Sequence, residues 1–154
     1  YEVSLEAVIG RVTHMLRMLA AEHGVVLQAE IQQPCSVKGT EDDLYQIVYN
    51  LTENAIKYNR PDGFVKIGLK QKNGQAVPTV EDNGIGIPEE DLPKIFDRFY
   101  RVDKARSRAA GGTGLGLSIV HDTALRYGGT VQASRSSAGG ALFTVTFPVW
   151  KEGA

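Results

Sequence analysis

The sequence predicts an α+β two-layer sandwich, in which a mixed sheet of about five strands carries about three helices on one face. Two observations point there. Segments of helical period and segments of alternating period are interspersed along the chain. Several are joined by links of hairpin length, Lys72-Asn73-Gly74 and Ser137-Ala138-Gly139-Gly140 among them. Such links favour antiparallel neighbours over the long crossovers of a doubly wound parallel sheet. Size agrees with this reading, because 154 residues at 42% hydrophobic content can fill one core and leave little room for a second. Residues 1–154 therefore read as one domain.

The elements follow in order. After Ser4, a suitable N-cap, the apolar residues Leu5, Val8, Ile9, Val12, Met15, Leu16 and Leu19 recur at helical spacing until Gly24. Val25, Leu27, Ala29 and Ile31 then alternate as a half-buried strand does, and Pro34 interrupts them. Thr40 and Asp43 resemble a capping box opening a second helix. Its apolar face is Leu44, Ile47, Val48, Leu51, Ala55 and Tyr58, and Pro61-Asp62-Gly63 ends it. Phe64 to Lys70, Ala76 to Val80, Thr130 to Ser134 and Ala141 to Val149 read as strands, while Leu115 to Tyr127 reads as a helix closed by Gly128-Gly129. Pro78 donates no N–H, which predicts an edge strand or a bulge there.

Composition narrows the functional classes. A net charge of -1 gives no global attraction to nucleic acid or to an acidic membrane surface. Charge is nevertheless uneven: within 97–108, Arg98, Arg101, Lys104, Arg106 and Arg108 outweigh Asp97 and Asp103 by 5 to 2, so that stretch carries +3 and the rest of the chain -4. One cysteine, Cys35, excludes an internal disulfide and a multi-cysteine metal site, and reads as an inert strand residue in a reducing compartment. His14, His23 and His121 have no metal-ligand partners at usable spacing and read as surface or structural residues; Trp150 reads as packing. The chain opens on Tyr1 with no signal-peptide pattern, as an excised fragment would, and no run reaches the roughly 20 apolar residues that cross a bilayer.

Four clusters between residues 50 and 117 carry the chemistry. On the second helix, at about 100° per residue, Asn50, Asn54 and Lys57 share a stripe roughly 60° wide beside the apolar face. Polar flanks are ordinary on amphipathic helices, but here two amide oxygens suited to a hard cation stand with a lysine suited to phosphate. Asp82-Asn83-Gly84-Ile85-Gly86 follows a strand, and its glycines let a planar ligand approach the backbone. Asp82 can then accept a hydrogen bond from a base amino group, although the same residues also suit a simple turn.

Gly111 to Leu117 is a glycine-rich loop leading into a helix, where free N–H groups and the positive helix end can hold phosphate. It is not a P-loop, since no Gly-Lys-Ser/Thr follows, and it is not a dinucleotide fingerprint, since Leu117 stands where the third glycine belongs and a basic stretch replaces the apolar strand before it. Between the glycine clusters, Pro88 to Ala110 carries Phe96 and Phe99, and the Arg-Lys-Ser-Ala-Gly stretch after them has too little apolar surface to pack firmly. It reads as a mobile lid anchored by those two rings, with Arg101, Lys104 and Arg106 able to reach a triphosphate when it closes. The alternative for these charges is a solvated basic loop.

Taken together, the clusters resemble the catalytic and ATP-binding domain of bacterial sensor histidine kinases, in the GHKL ATPase superfamily. The N box is similar to Asn50 to Asn59, the G1 box to Asp82 to Ile87, the F box to Phe96 to Phe99 and the G2 box to Gly112 to Leu117. The resemblance implies that Asn54 ligates Mg2+, that Asn50 supports metal and phosphates, and that Lys57 and Arg101 act on the phosphates in catalysis. It implies further that Tyr58 packs beside adenine or ribose, that Asp82 reads the adenine amino group, and that Gly84, Gly86, Ile87 and Phe99 complete the pocket. Arg106 would join Arg101 in the lid, and Gly112, Thr113, Gly114, Leu115, Gly116 and Leu117 would pass along the phosphate chain. ATP and Mg2+ are the implied ligands.

The same resemblance implies partners. Histidine kinases phosphorylate a histidine on a separate dimerisation domain, in a His-Glu or His-Asp motif followed by a basic residue and Pro; none of the three histidines here has that context. The implied function is therefore donation of the γ-phosphoryl group to that domain in two-component signalling, with a response regulator served indirectly. The fragment is expected to be a cytoplasmic monomer without nucleic-acid or membrane contact, belonging to a membrane-anchored parent. Asn50 stands where ATP-hydrolysing relatives of the gyrase B and MutL type carry a glutamate base, and an amide cannot take a proton from water. An ATPase clamp and a non-enzymatic nucleotide-sensing or anti-sigma-like module are the alternatives.

Overall fold

A computed structural model describes residues 2–87, 89–96 and 116–150. Its elements run β1 (Glu2–Ser4), α1 (Leu5–Glu22), β2 (Val26–Ile31), β3 (Ser36–Lys38), α2 (Glu41–Lys57), β4 (Phe64–Lys72), β5 (Gln75–Asp82), a 3-10 segment (Glu89–Lys94), α3 (Gly116–Arg126), β6 (Thr130–Arg135) and β7 (Ala141–Pro148). The main sheet has five strands in the order β2-β4-β5-β7-β6, with β2 parallel to β4 and the other neighbours antiparallel. This is the expected mixed sheet.

Local chemistry sets the helix ends. Ser4 accepts the Ala7 N–H at the start of α1, and Thr40 accepts the Asp43 N–H at 3.2 Å at the start of α2. Gly24, at φ 67, turns the chain out of α1 toward the sheet. The β4–β5 hairpin closes on Asn73 and Gly74, both at positive φ, which is the two-residue turn whose twist matches antiparallel strands.

Inward residues of the strands form a continuous apolar face: Val65, Ile67 and Leu69 on β4, Ala76 and Val80 on β5, and Ala141, Phe143, Val145 and Phe147 on β7. Against it pack Leu44, Ile47, Val48, Leu51, Ala55 and Ile56 of α2, with α1 and α3 on either side. At about 1.5–3 kcal/mol per buried aliphatic side chain, this layer contact is the main term favouring the fold. Asp82 falls on the same inward face, in register with Val65, so the strand delivers a carboxylate into the space between sheet and helices.

Four expectations need correcting or extending. Pro78 lies on neither an edge nor a bulge, because β5 is the central strand. Pairing with β7 lapses at Val77 and Pro78 and resumes at Thr79 in unchanged register, so the missing N–H opens a gap in one ladder while pairing to β4 continues through Leu69. In β2 only Leu27 is buried; the strand is a sheet edge, and edge position overrides its alternating pattern. A second sheet, β1 with β3, was not foreseen, since three residues per strand are too few to show a period. Cys35 sits just before β3 rather than within a strand; its Sγ donates to the Gln33 carbonyl at 3.2 Å, and burial pushes the thiol pKa up.

Trp150, expected to pack, is half-buried and donates its N–H to the Ser36 carbonyl at 2.7 Å, carrying the end of β7 onto β3. Among the described residues no helix is long and apolar enough to cross a membrane.

Candidate functional site

The site is built from the second half of α2 and the exit of β5. Asn50, Asn54 and Lys57 are all half-buried, on the flank between the core stripe and solvent that helical spacing predicts. No hydrogen bond among the described residues ends on the Asn50 or Asn54 amide. Half-buried amides without partners suit a ligand that brings its own donors or a cation. Lys57 Nζ stands 3.7 Å from Glu53 Oε1, one turn back, so the cation has a weak local partner and a phosphate would compete for it. Tyr58, the C-cap of α2, is half-buried beside them.

Asp82 is 5% exposed. Burial pushes its carboxyl pKa up, partly offset by backbone hydrogen bonds from Gly84 and Ala141. The Gly84 N–H donates to Oδ1 at 2.9 Å and the Ala141 N–H to the same oxygen at 3.2 Å. Among the described residues both bonds end on Oδ1, which leaves Oδ2 as the acceptor for an incoming donor. Two glycines make this possible by their lack of a side chain: a Cβ on Gly140 would fall 2.2 Å from Asp82 Oδ1, and one on Gly84 would fall 2.8 Å from Asn59 Cα. Gly86, at φ 79, continues the turn, and Ile87 packs on the core edge.

The loop after β5 and the end of α2 are in direct contact. Ile85 N–H donates to the Tyr58 carbonyl at 3.4 Å. The buried Asp82 carboxylate and the half-buried amides of α2 therefore sit on segments that touch, although Asn54 and Asp82 lie 28 positions apart in the chain.

At the far end of α2, Tyr127 donates its hydroxyl to Asp43, and Arg126 lies 3.6 Å from the same carboxylate. The last turn of α3 thus meets the first turn of α2, and the two helices are in contact. Leu117, near the start of α3, is half-buried and packed on the core.

Phe96 anchors the segment that follows the 3-10 turn. Its ring stacks on His121 of α3 at 5.7 Å and meets Phe143 of β7 edge-on at 6.2 Å. His121 is thereby structural, as expected. Phe99, Arg101, Arg106, Gly112, Thr113, Gly114 and Leu115, together with the rest of the expected lid, lie outside the described residues, and Gly116 is the first residue of α3. Sequence reasoning placed Asn59 and Asn83 in the N and G1 boxes without giving either a role, and it read Gly140 only as part of a hairpin link, because a turn residue does not show which distant backbone group it will meet.

Residues 39–151 match the family model described as histidine kinase-, DNA gyrase B-, and HSP90-like ATPase. Among curated proteins, the chain is 42% identical over 112 residues to the sensor histidine kinase RppB of Synechocystis, covering 73% of this chain and 25% of that protein. It is 41% identical over 114 residues to WalK of Bacillus subtilis, covering 73% and 19%, and 33% identical over 150 residues to the sensor-like histidine kinase SenX3 of Mycolicibacterium smegmatis, covering 97% and 39%. The chain thus spans well under half the length of these relatives. Among solved structures, a mycobacterial sensor histidine kinase, MprB, superposes with a TM-score of 0.84 at 27% identity, covering 97% of each chain. Full-length ShkA in complex with AMPPNP superposes with a TM-score of 0.86 at 26% identity, covering 100% of this chain and 32% of that one. The chain belongs to the histidine kinase-, DNA gyrase B-, and HSP90-like ATPase family, and within it resembles the ATP-binding domains of sensor histidine kinases.

Proposed function

We propose that this domain binds ATP with Mg2+ and donates the γ-phosphoryl group to a histidine on a separate dimerisation domain of the same kinase, from which a response regulator is served. The observation that carries the reading is the placement of Asp82: a carboxylate buried on the inward sheet face, one oxygen held by two backbone N–H groups, on a loop that touches the end of the helix bearing the half-buried amides of Asn50 and Asn54. Asp82 Oδ2 accepts the adenine amino group, Asn54 offers its amide oxygen to Mg2+, Asn50 supports metal and phosphates, and Tyr58 packs beside the base or ribose. Lys57 turns from Glu53 to the phosphates, joined by the backbone at the start of α3 and by Arg101 and Arg106. Mg2+, held by the Asn54 amide, would supply charge neutralisation at the phosphates.

Asn50, at the position where hydrolysing relatives carry a glutamate base, cannot take a proton from water, which suits transfer to a protein nucleophile better than hydrolysis. The domain acts as one module of a longer signalling protein, since relatives of 25% to 39% coverage carry further chain. A calorimetric titration with ATP and Mg2+ tests the pocket, and adding the dimerisation domain in trans tests transfer: labelled phosphohistidine is expected on that domain. ATP binding without transfer to a competent acceptor would leave a nucleotide-sensing module; absence of binding by folded protein would remove the whole reading.

A further inference from the structure

Asn59 and Asn83 belong to different clusters of the chain, yet both hold the same residue. Asn59 Nδ2 donates to the Phe64 carbonyl at 2.9 Å, and the Phe64 N–H donates to Asn83 Oδ1 at 2.7 Å. Asn59 Oδ1 also accepts the Arg60 N–H at 2.8 Å, which fixes the side-chain amide in one orientation. Around this bridge the backbone is tightly packed: a Cβ on Gly63 would fall 2.1 Å from Asn59 Oδ1, and one on Gly84 would fall 3.0 Å from it. Phe64 opens β4, immediately after the turn that ends α2.

We propose that Asn59 and Asn83 are positioning residues that fix the separation between base recognition and phosphate binding. Asn59 directly follows Tyr58 at the end of the helix bearing Asn54 and Lys57, and Asn83 directly follows Asp82. With Phe64 as the shared post, a displacement of the β5 exit loop relative to α2 must break a hydrogen bond at one asparagine or the other. The bridge holds the loop bearing Asp82 at a fixed separation from the helix bearing Asn54, so that recognising the base and holding the phosphates reinforce each other. The proposal rests on the reading of Asp82 as the base acceptor.

The test is the ratio of ATP to GTP affinity, measured by calorimetry with Mg2+ for the unaltered chain and for Asp82→Asn, Asn83→Ala, Asn83→Asp and Asn59→Ser. Thermal unfolding without nucleotide is followed in parallel. Asn83→Ala removes the acceptor for the Phe64 N–H and is expected to lower the ratio about tenfold, a change of about 1.4 kcal/mol. Asn83→Asp keeps an acceptor oxygen and is expected to restore the ratio to within about threefold, because its added charge opposes both triphosphates alike. Asn59→Ser, on the other half of the bridge, is expected to lower the ratio as Asn83→Ala does. A lower melting temperature with an unchanged ratio in Asn83→Ala and Asn59→Ser would reduce the bridge to a fold-stabilising contact and overturn the proposal. If Asp82→Asn itself leaves the ratio unchanged, the base-acceptor reading has failed; if only Asp82→Asn lowers it, that reading stands and the positioning role has failed.

Discussion

Gly140 lies so close to Asp82 that a Cβ built on the glycine would fall 2.2 Å from the carboxylate Oδ1. The β6–β7 hairpin therefore closes over the acidic side chain with backbone alone, and the Ala141 N–H reaches Oδ1 as a result. A carboxylate on the inward face of a sheet is tolerated because this turn and the Gly84 N–H take the place of water.

Gly140→Ala should push Asp82 from its place. We expect a loss of about 1–3 kcal/mol in stability, as for other forced overpacking, together with weaker ATP binding. Gly10→Ala is the control: nothing lies within 4 Å of a Cβ there, in the middle of α1. It should stabilise the domain by about 0.5–1 kcal/mol and leave binding alone. Urea unfolding of both variants decides the matter, and a neutral Gly140→Ala would show that the hairpin can give way.

Asp82→Asn should separate stability from binding. Because burial raises the folded-state pKa of Asp82 above its unfolded value, the stabilising contribution of this group is fully present below the unfolded pKa and is lost as pH rises through the folded one. Ionised Asp82 thus opposes folding near neutral pH. An asparagine keeps the Oδ1 acceptor and removes the charge, so the variant should melt no lower than the parent at neutral pH. ATP affinity should fall about tenfold or more, since a hydrogen bond to a charged group contributes about 1.5–3 kcal/mol. A variant that melts several degrees lower would contradict the burial argument.

Asn54→Ala tests the metal. Its amide is half-buried and has no partner among the described residues, so truncation should cost the fold little. With Mg2+ present, ATP should bind about tenfold more weakly, whereas in a chelator the variant and parent should match; tenfold corresponds to about 1.4 kcal/mol. Equal affinities under both conditions would remove Asn54 from the metal.

Tyr127→Phe probes the lock between α2 and α3. The Tyr127 hydroxyl, ahead of Thr40 and Arg126, holds the Asp43 carboxyl below its ordinary range, so this contribution is present above the unfolded pKa and lost as pH falls through the folded one. The variant should lose about 1 kcal/mol near neutral pH, with Asp43 partly exposed, and the difference should shrink in acid below the usual carboxylate range. Chemical denaturation at the two pH values measures it, and a pH-independent difference would assign the loss to packing.

Much of the fold was legible because periodicity reports burial directly. Among the described residues the three α-helices, the Asn73-Gly74 turn and the strands of the main sheet fall where the pattern put them, and so do the amides on the flank of α2. The exceptions are positions where neighbours outvote the pattern. Pro78 sits in the central strand because its other side still pairs with β4, and Ala29 and Ile31 stay exposed because β2 has no strand beyond it. The expected lid residues lie outside the described part of the chain, so Phe96 alone of the two rings can be placed, between His121 and Phe143.

The sequence by itself determined which chemical groups are available and that their order matches a nucleotide-binding family, since residue type and spacing suffice for both. Only the tertiary structure decided that Asp82 points inward with one oxygen already occupied, that Gly140 and Ala141 close over it, and that Asn59 and Asn83 share Phe64. Those relationships join segments tens of residues apart, and no local period carries information about which distant backbone will arrive opposite a given side chain.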